Sequence, residues 1–282
     1  MTGRYAVKLA DVAYVEETKT VLQSPWYLSG DNFQHHAKGL PFAVYRKLEF
    51  VTRPGRWRNR YWLPGALEIL LPTKHIMVYG HSSAPLSPIV ARWLQSVGNA
   101  VVVGTNRELE WKSRPIPLGL PNAYLDSPDH AVFGDINLIL RSLDRPKPVG
   151  FAGSFYANFD AQTHEGRREL AEVLRIAGIT LHRPDRSRGG RQVYLDMCRE
   201  SNFVLCPRGV GEDTHRLWES IFLGSIPVVL RSPLMEFFAE YFPILQIDSW
   251  EQILDVDSMN QAYEKLMLFP WDICNLDVRN WL

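Results

Sequence analysis

Along the chain, short unbroken apolar runs alternate with stretches in which apolar residues recur every three or four positions. The first pattern suits strands buried on both faces and the second suits helices packed on one side. In the first half, HIMVYG (75–80) predicts a strand ending in glycine, HSSAPLSP a polar turn, and PIVARWLQSVG (88–98) a helix with Ile89, Trp93 and Val97 in register. AVVVGTN (100–106) predicts a second strand with a Gly-Thr-Asn tip, and the prolines of RPIPLGLPN (114–122) predict a stiff extended segment. Residues 63–71 predict a short helix before Pro72. The charged LDRPKP (143–148) interrupts the alternation and predicts a domain boundary. Beyond it the pattern restarts with strand VGFAGS (149–154) and helix EGRRELAEVLRIAG (165–178), in which Leu170, Val173, Leu174 and Ala177 form one stripe and Gly178 ends the helix. Strand ITLHR (179–183), helix RQVYLDMCRE (191–200), strand FVLCP (203–207), helix THRLWESIFLG (214–224), strand IPVVL (226–230), helix PLMEFFAEYF (233–242) and strand ILQI (244–247) follow.

Alternating elements with continuously apolar strands imply parallel sheets covered on both faces. The predicted class is α/β, with two Rossmann-like doubly wound domains facing a cleft, over residues 1–143 and 144–257. A tail over 258–282 reads as a helix ending in WDICNLDVRNWL; its Trp271 and Trp281 need cover, expected from the other domain. The first fifty residues carry a weaker pattern, with SPWYLSGDNFQHHAKG (24–39) reading as a long loop. RPGRWRNR (53–60) reads as a solvated basic turn ahead of an anionic-ligand patch.

Composition narrows the function. The 282 residues are 46% hydrophobic, ample for packed cores, and 31 Lys and Arg balance 31 Asp and Glu. That balance speaks against non-specific nucleic-acid binding, which needs excess positive charge. Cys198, Cys206 and Cys274 form no C-x-x-C pair, so neither a disulfide framework nor a zinc motif is expected, and a reducing compartment fits. The first residues lack the apolar core of a signal peptide, and no apolar run approaches the roughly 18 residues of a membrane span. The expectation is a soluble cytoplasmic protein, with peripheral membrane contact left open. A G-x-G-x-x-G after a strand and a G-x-x-x-x-G-K-[ST] are both missing, which argues against a dinucleotide oxidoreductase and a P-loop kinase.

The chemistry concentrates at 201–230, SNFVLCPRGVGEDTHRLWESIFLGSIPVVL, a strand–helix–strand unit with its polar residues where strand hands over to helix. In a parallel sheet that edge binds ligands. Gly209 and Gly211 allow close backbone approach, the amides of 213–216 open the helix, and its dipole favours an anion. Arg208 and Arg216 add guanidinium forks suited to phosphate oxygens. Arg216 and Glu219 are three apart, and His215 and Glu219 four apart, so the three share one helix face opposite Leu217 and Ile221. A carboxylate one turn inside such a site is well placed to accept the hydroxyls of a ribose. The bland alternative is a surface Arg–Glu–His cluster of little energetic worth.

CPRGVGEDTHRLWESIFLGSIPVVL resembles the C-terminal signature of exostosin-like glycosyltransferases and their bacterial and viral relatives, in which C-P-R-G is followed by a helix bearing Arg or His, then W/L-E and G-x-I-P-V. VYGHSSAPLSP and RPIPLGLPN resemble the same group more weakly. The resemblance implies the two-Rossmann (GT-B) architecture, with an acceptor-side N-terminal domain and a nucleotide-diphosphate sugar held by the C-terminal one. It implies donor contacts from Arg208, Gly209, His215 and Arg216, a ribose contact from Glu219, and further lining by Gly153, Ser154, Arg167 and Arg168. A metal is not expected, since no D-x-D stands between apolar strands and arginines can stabilise the leaving group. The chain is shorter than the animal exostosins, with one such unit and no membrane anchor in view, which leaves polymerase activity unsupported.

An inverting transfer needs a base from the acceptor side. His81 at a strand tip and Asp31 in the aromatic loop are the candidates, with Asn106 and Ser82 for acceptor hydroxyls. The expected function is transfer of a hexosyl or pentosyl group from a nucleotide-diphosphate donor to a glycan or glycolipid, with inversion. The competing readings are a non-catalytic nucleotide- or carbohydrate-binding protein of the same fold and a sulfotransferase-like group transferase.

Overall fold

A computed structural model describes residues 6–8, 28, 33, 76–80, 100–106, 114–120, 151–152, 165–180, 188–209 and 211–281. The predicted helices at 63–71 and 88–98, the basic cluster at 53–60, the linker at 143–148 and residues 181–183 of the ITLHR strand lie outside them.

In the first half, β2 (Ile76–Gly80), β3 (Ala100–Gly104) and β4 (Arg114–Pro115) form a parallel three-stranded sheet in that order, with Ile76 opposite Ala100 and Val103 opposite Arg114. The extended segment after β4 is buried at Ile116, Leu118 and Leu120. Proline-rich chain lacks the amide donors to continue a ladder, so this segment contributes apolar side chains rather than strand pairing.

In the second half, β5 (Phe151–Ala152), β6 (Phe203–Leu205), β7 (Ile226–Leu230) and β8 (Leu245–Ile247) form a parallel sheet in sequential order. Helices α1 (Glu165–Ile176) and α2 (Arg188–Glu200) lie between β5 and β6, α3 (His215–Phe222) between β6 and β7, and α4 (Pro233–Ala239) between β7 and β8. Every residue of β6 is buried, as expected for a strand covered on both faces. The α1 stripe is Leu170, Val173 and Leu174; Ala177 is exposed, because the helix ends at Ile176 and Gly178 turns the chain away with φ +68°. The same left-handed glycine ends α3 at Gly224, with φ +74°. Pro233 opens α4, and the Ser232 hydroxyl accepts from the Met235 amide.

The tail departs from the single helix predicted. Helix α5 (Val256–Met267) is followed by β9 (Pro270–Asp272), which pairs antiparallel with β1 (Ala6–Lys8), and by two short 3-10 turns. The Leu28 amide donates to the Leu276 carbonyl and the Leu120 amide to that of Leu28, so backbone bonds run from the tail through Leu28 to the first sheet's extended segment. Trp281 is buried, but its cover differs from that expected. It packs on Phe237 and Phe238 of α4 and on Tyr241 and Phe242 beyond it, stacked on Phe242 at 6.0 Å. Among the described residues no helix is long and apolar enough to cross a membrane.

Trp281→Ala should therefore cost about 3–5 kcal/mol of unfolding free energy, the usual loss for a large buried aromatic, read as a lower urea midpoint at unchanged slope. A loss under about 1 kcal/mol would show that the tail lies outside the folded core.

Candidate functional site

Residues 206–214 leave the C-terminal end of β6 and lead into α3. Cys206 and Pro207 are buried and Arg208 is exposed. The loop is fastened on three sides. The Arg167 Nε at the start of α1 donates to the Arg208 carbonyl at 2.9 Å. The Ser232 hydroxyl donates to the Glu212 carboxylate at 2.6 Å. The third attachment reaches the first sheet through Asp213.

Asp213 is 1% exposed. Its carboxylate accepts from the Leu118 amide at 2.7 Å and from the Trp218 indole N–H at 2.6 Å. Its amide donates to Asn106 Oδ1 at 2.7 Å, and Asn106 Nδ2 donates back to its carbonyl at 3.1 Å. Asn106, at the tip of β3, has φ +51°, a left-handed conformation that asparagine tolerates better than most residues. Gly211 lies so close beneath it that a Cβ there would stand 2.3 Å from the Asn106 side chain. One residue beyond Asp213's neighbour Thr214, His215 Nδ1 is bonded to the Gly119 carbonyl at 2.7 Å. The two sheets thus meet through buried polar bonds at the start of α3.

Burial pushes the Asp213 carboxyl from 3.8 up to about 7, against the opposing pull of the Leu118 and Trp218 donors. Such an acid holds its proton more tightly folded than unfolded. Its stabilising contribution is full below about pH 4 and is lost as the pH rises through 7.

Arg167 and Arg208 stand at the outer side of the loop, with Arg216 set deeper behind them. Arg167 is half-buried, and its pKa is lowered to about 10 by burial and then by the charge of Arg216, so the two cations stand close enough to repel. A Cβ on Gly209 would lie 3.1 Å from Arg167 Nη2, so the missing side chain leaves room for that guanidinium. Arg208 and Arg167 have no carboxylate partner among the described residues. Thr214 caps α3 in extended conformation without the usual side-chain bond, and its buried hydroxyl has no hydrogen-bond partner. Cations, a helix start and an unused hydroxyl thus lie around one loop, a combination of groups suited to an anion.

Behind it, α3 is buried from Leu217 to Phe222, Glu219 included at 4% exposure. The face predicted for His215, Arg216 and Glu219 is therefore packed. Glu219 Oε2 accepts from the Tyr194 hydroxyl at 3.1 Å. Burial tends to lower the pKa of Arg216, while Tyr194, Cys206, Glu219 and Cys198 outweigh it and raise the value, so the guanidinium stays charged.

Of the residues singled out from sequence, Arg208, Gly209, Arg216 and Arg167 come together around one loop, with His215 and Glu219 on the helix behind it. Arg168 is exposed on α1. Asn106, expected at an acceptor hydroxyl, spends its amide on the Asp213 backbone. His81, Ser82, Asp31, Gly153 and Ser154 lie outside the described residues. Sequence reading missed Asp213, Thr214 and Tyr194. Asp213 and Thr214 sit in a polar glycine-bearing run that reads as solvated loop, and Tyr194 shares the apolar register of Leu195 and Cys198. One signal was present: a tryptophan inside a buried helix needs an acceptor for its N–H, and Asp213 is within reach.

The second half is thus an α/β unit with arginines and a helix start at the carboxyl edge of its parallel sheet, the edge at which such sheets take ligands. Residues 143–258 match the family model of the RXYLT1 C-terminal domain, a span containing β5 through β8 and the arginine cluster. The match supports a glycosyltransferase-related function for this part of the chain. No curated protein matches the chain.

Asp213→Asn tests the buried carboxyl. The variant keeps one acceptor and strands one donor, costing about 1–3 kcal/mol, but loses the titration. Because the wild-type contribution falls by about 3 kcal/mol between pH 4.5 and 7.5 at about 1.4 kcal/mol per unit, the variant should be the less stable of the two at pH 4.5 and should match or exceed wild type at pH 7.5. A gap that stays constant across that range would mean the carboxyl does not titrate there.

Proposed function

We propose that this chain is a glycosyltransferase of two Rossmann-like domains, GT-B in type, which takes a nucleotide-diphosphate sugar at the start of α3 and passes a hexosyl or pentosyl group to a glycan or glycolipid acceptor. The observation that carries this reading is the gathering of Arg167, Arg208 and Arg216 about Gly209. A diphosphate supplies the negative charge that Arg167 and Arg208 lack among the described carboxylates, and it is the leaving group of such a transfer. When the bond from the anomeric carbon to the diphosphate oxygen breaks, its electron pair stays on that oxygen, where fixed cations and a helix start stabilise it without reorganising. Arginines in this role make the reaction metal-independent. The match of residues 143–258 to the RXYLT1 C-terminal domain supports the class of chemistry.

The acceptor hydroxyl attacks from the opposite face with inversion, and its proton passes to a base on the N-terminal side. His81 and Asp31 remain the proposed bases, with Ser82 beside the acceptor; Asn106, bonded to the Asp213 backbone, holds the site together instead. Glu219 is proposed to accept the donor's ribose hydroxyls, and Gly153, Ser154, His215 and Arg168 to complete the donor wall.

In calorimetric titrations with the four common ribonucleoside 5′-diphosphates, Arg167→Ala and Arg208→Ala should each weaken binding about 10- to 100-fold, as expected for a lost charge-assisted hydrogen bond, and leave binding of the unphosphorylated nucleoside unchanged. Unaltered diphosphate affinity in both would remove the site. Thr214→Val separates ligand binding from capping. If its hydroxyl serves the ligand, the free variant keeps or gains melting temperature while diphosphate affinity falls several-fold, on the order of one neutral hydrogen bond. If the hydroxyl is an ordinary cap, the variant loses about 1 kcal/mol of stability and binds as before.

A further inference from the structure

We infer that Glu212 is a specificity-determining residue for the donor, its carboxylate accepting hydroxyls of the transferred sugar; the inference rests on the diphosphate-sugar reading above. Glu212 lies in the 206–214 loop between Arg208 and Thr214, so it shares the carboxyl edge of the sheet with the groups proposed to hold the diphosphate. The loop is folded tightly there, with the Gly209 amide donating to the Gly211 carbonyl at 2.9 Å. Burial separates Glu212 from its acidic neighbours in this region. Asp213 and Glu219 are packed inside, whereas Glu212 keeps part of its surface in solvent. One of its oxygens is held in place: the Ser232 hydroxyl donates to Oε2 at 2.6 Å and accepts from the Met235 amide at 3.3 Å, which directs its proton at the carboxylate. Ser232 follows β7, the strand beside β6, so the Glu212 side chain spans the ends of two neighbouring strands. Its other oxygen has no hydrogen bond to any described residue, and no described Lys or Arg pairs with the carboxylate.

A carboxylate that stands near arginines without pairing to them is out of place in a site for phosphate alone, since it repels such a ligand. It suits a ligand whose anionic part is followed by neutral hydroxyls, because a carboxylate accepts hydrogen bonds and donates none, and bonds to an ionised acceptor are the stronger kind. A nucleotide-diphosphate sugar has that form. A site that bonds a hydroxyl rejects a sugar in which it is missing or turned the other way, because the site's own group is then left unpaired. Glu212 therefore selects among sugars, while Arg167 and Arg208 hold the diphosphate that all such donors share.

The test titrates the full chain calorimetrically with the uridine-diphosphate derivatives of glucose, galactose and xylose and with guanosine-diphosphate mannose, each beside its parent nucleoside diphosphate. The quantity read is the ratio of sugar-nucleotide affinity to parent affinity. Glu212→Gln keeps an oxygen for the Ser232 hydroxyl and removes the charge. For the sugar nucleotide that wild type binds best, the variant should lower the ratio about 10-fold, the difference between a charge-assisted and a neutral hydrogen bond. The parent nucleotide should bind as tightly as before or more tightly, because a like charge has gone from beside the phosphates. A glutamate that only fastens the loop would leave the ratio alone, whether both affinities hold or fall together, and that result overturns the inference while the donor reading stands. A wild type that binds neither the parent diphosphates nor any of the four sugar nucleotides overturns both. Melting curves establish that the variant is folded at the titration temperature.

Discussion

The carboxylate of Asp213 is the interaction on which the rest of this site depends. A buried carboxyl with no partners is costly to hold, whether it is protonated or ionised. Here two donors from different parts of the chain converge on it, the Leu118 amide from the extended segment after β4 and the Trp218 indole from α3. The first lies in the half that carries β2 to β4 and the second in the half that carries β5 to β8. Asn106 adds a two-way clasp on the Asp213 backbone, and Gly211 supplies the clearance it needs. Satisfying one carboxylate thus holds together the tip of β3, the 116–120 segment and the start of α3.

That fastening explains how like charges can be kept side by side. Arg167 and Arg216 repel one another, and Arg208 is exposed nearby. A loose loop would relax by swinging one of them into water. The loop from 206 to 214 cannot do so freely, because the Arg208 carbonyl is bonded to Arg167, the Glu212 carboxylate to Ser232, and the Asp213 backbone to Asn106. Preorganised positive charge of this kind costs stability in the free protein, a cost that the proposed anion would offset.

The fold of the second half was largely legible in the chain. Buried parallel strands are continuous apolar runs, and glycines at positive φ end two of its helices, so β6, β7, α1 and α3 were found within a residue or two of their ends. Arg208, Gly209 and Arg216 were legible because glycines and arginines at a strand–helix junction have few other uses. The tail was not, because pairing of β9 with β1 joins the two ends of the chain and no local pattern encodes a partner so distant in sequence. Asp213 escaped for a similar reason: its burial is set by Leu118 and Asn106, residues roughly a hundred positions away, while its own neighbours are polar.

Helical periodicity gave the right angles on α3 and the wrong environment. His215, Arg216 and Glu219 do share a face, but α2 packs against it through Tyr194, and Gly119 meets it at His215. A helix buried on every side from Leu217 onward can present a ligand with little more than its start. Its inner polar groups, Glu219 bonded to Tyr194 among them, are held by the neighbouring helix and so fix how α3 is seated behind the loop.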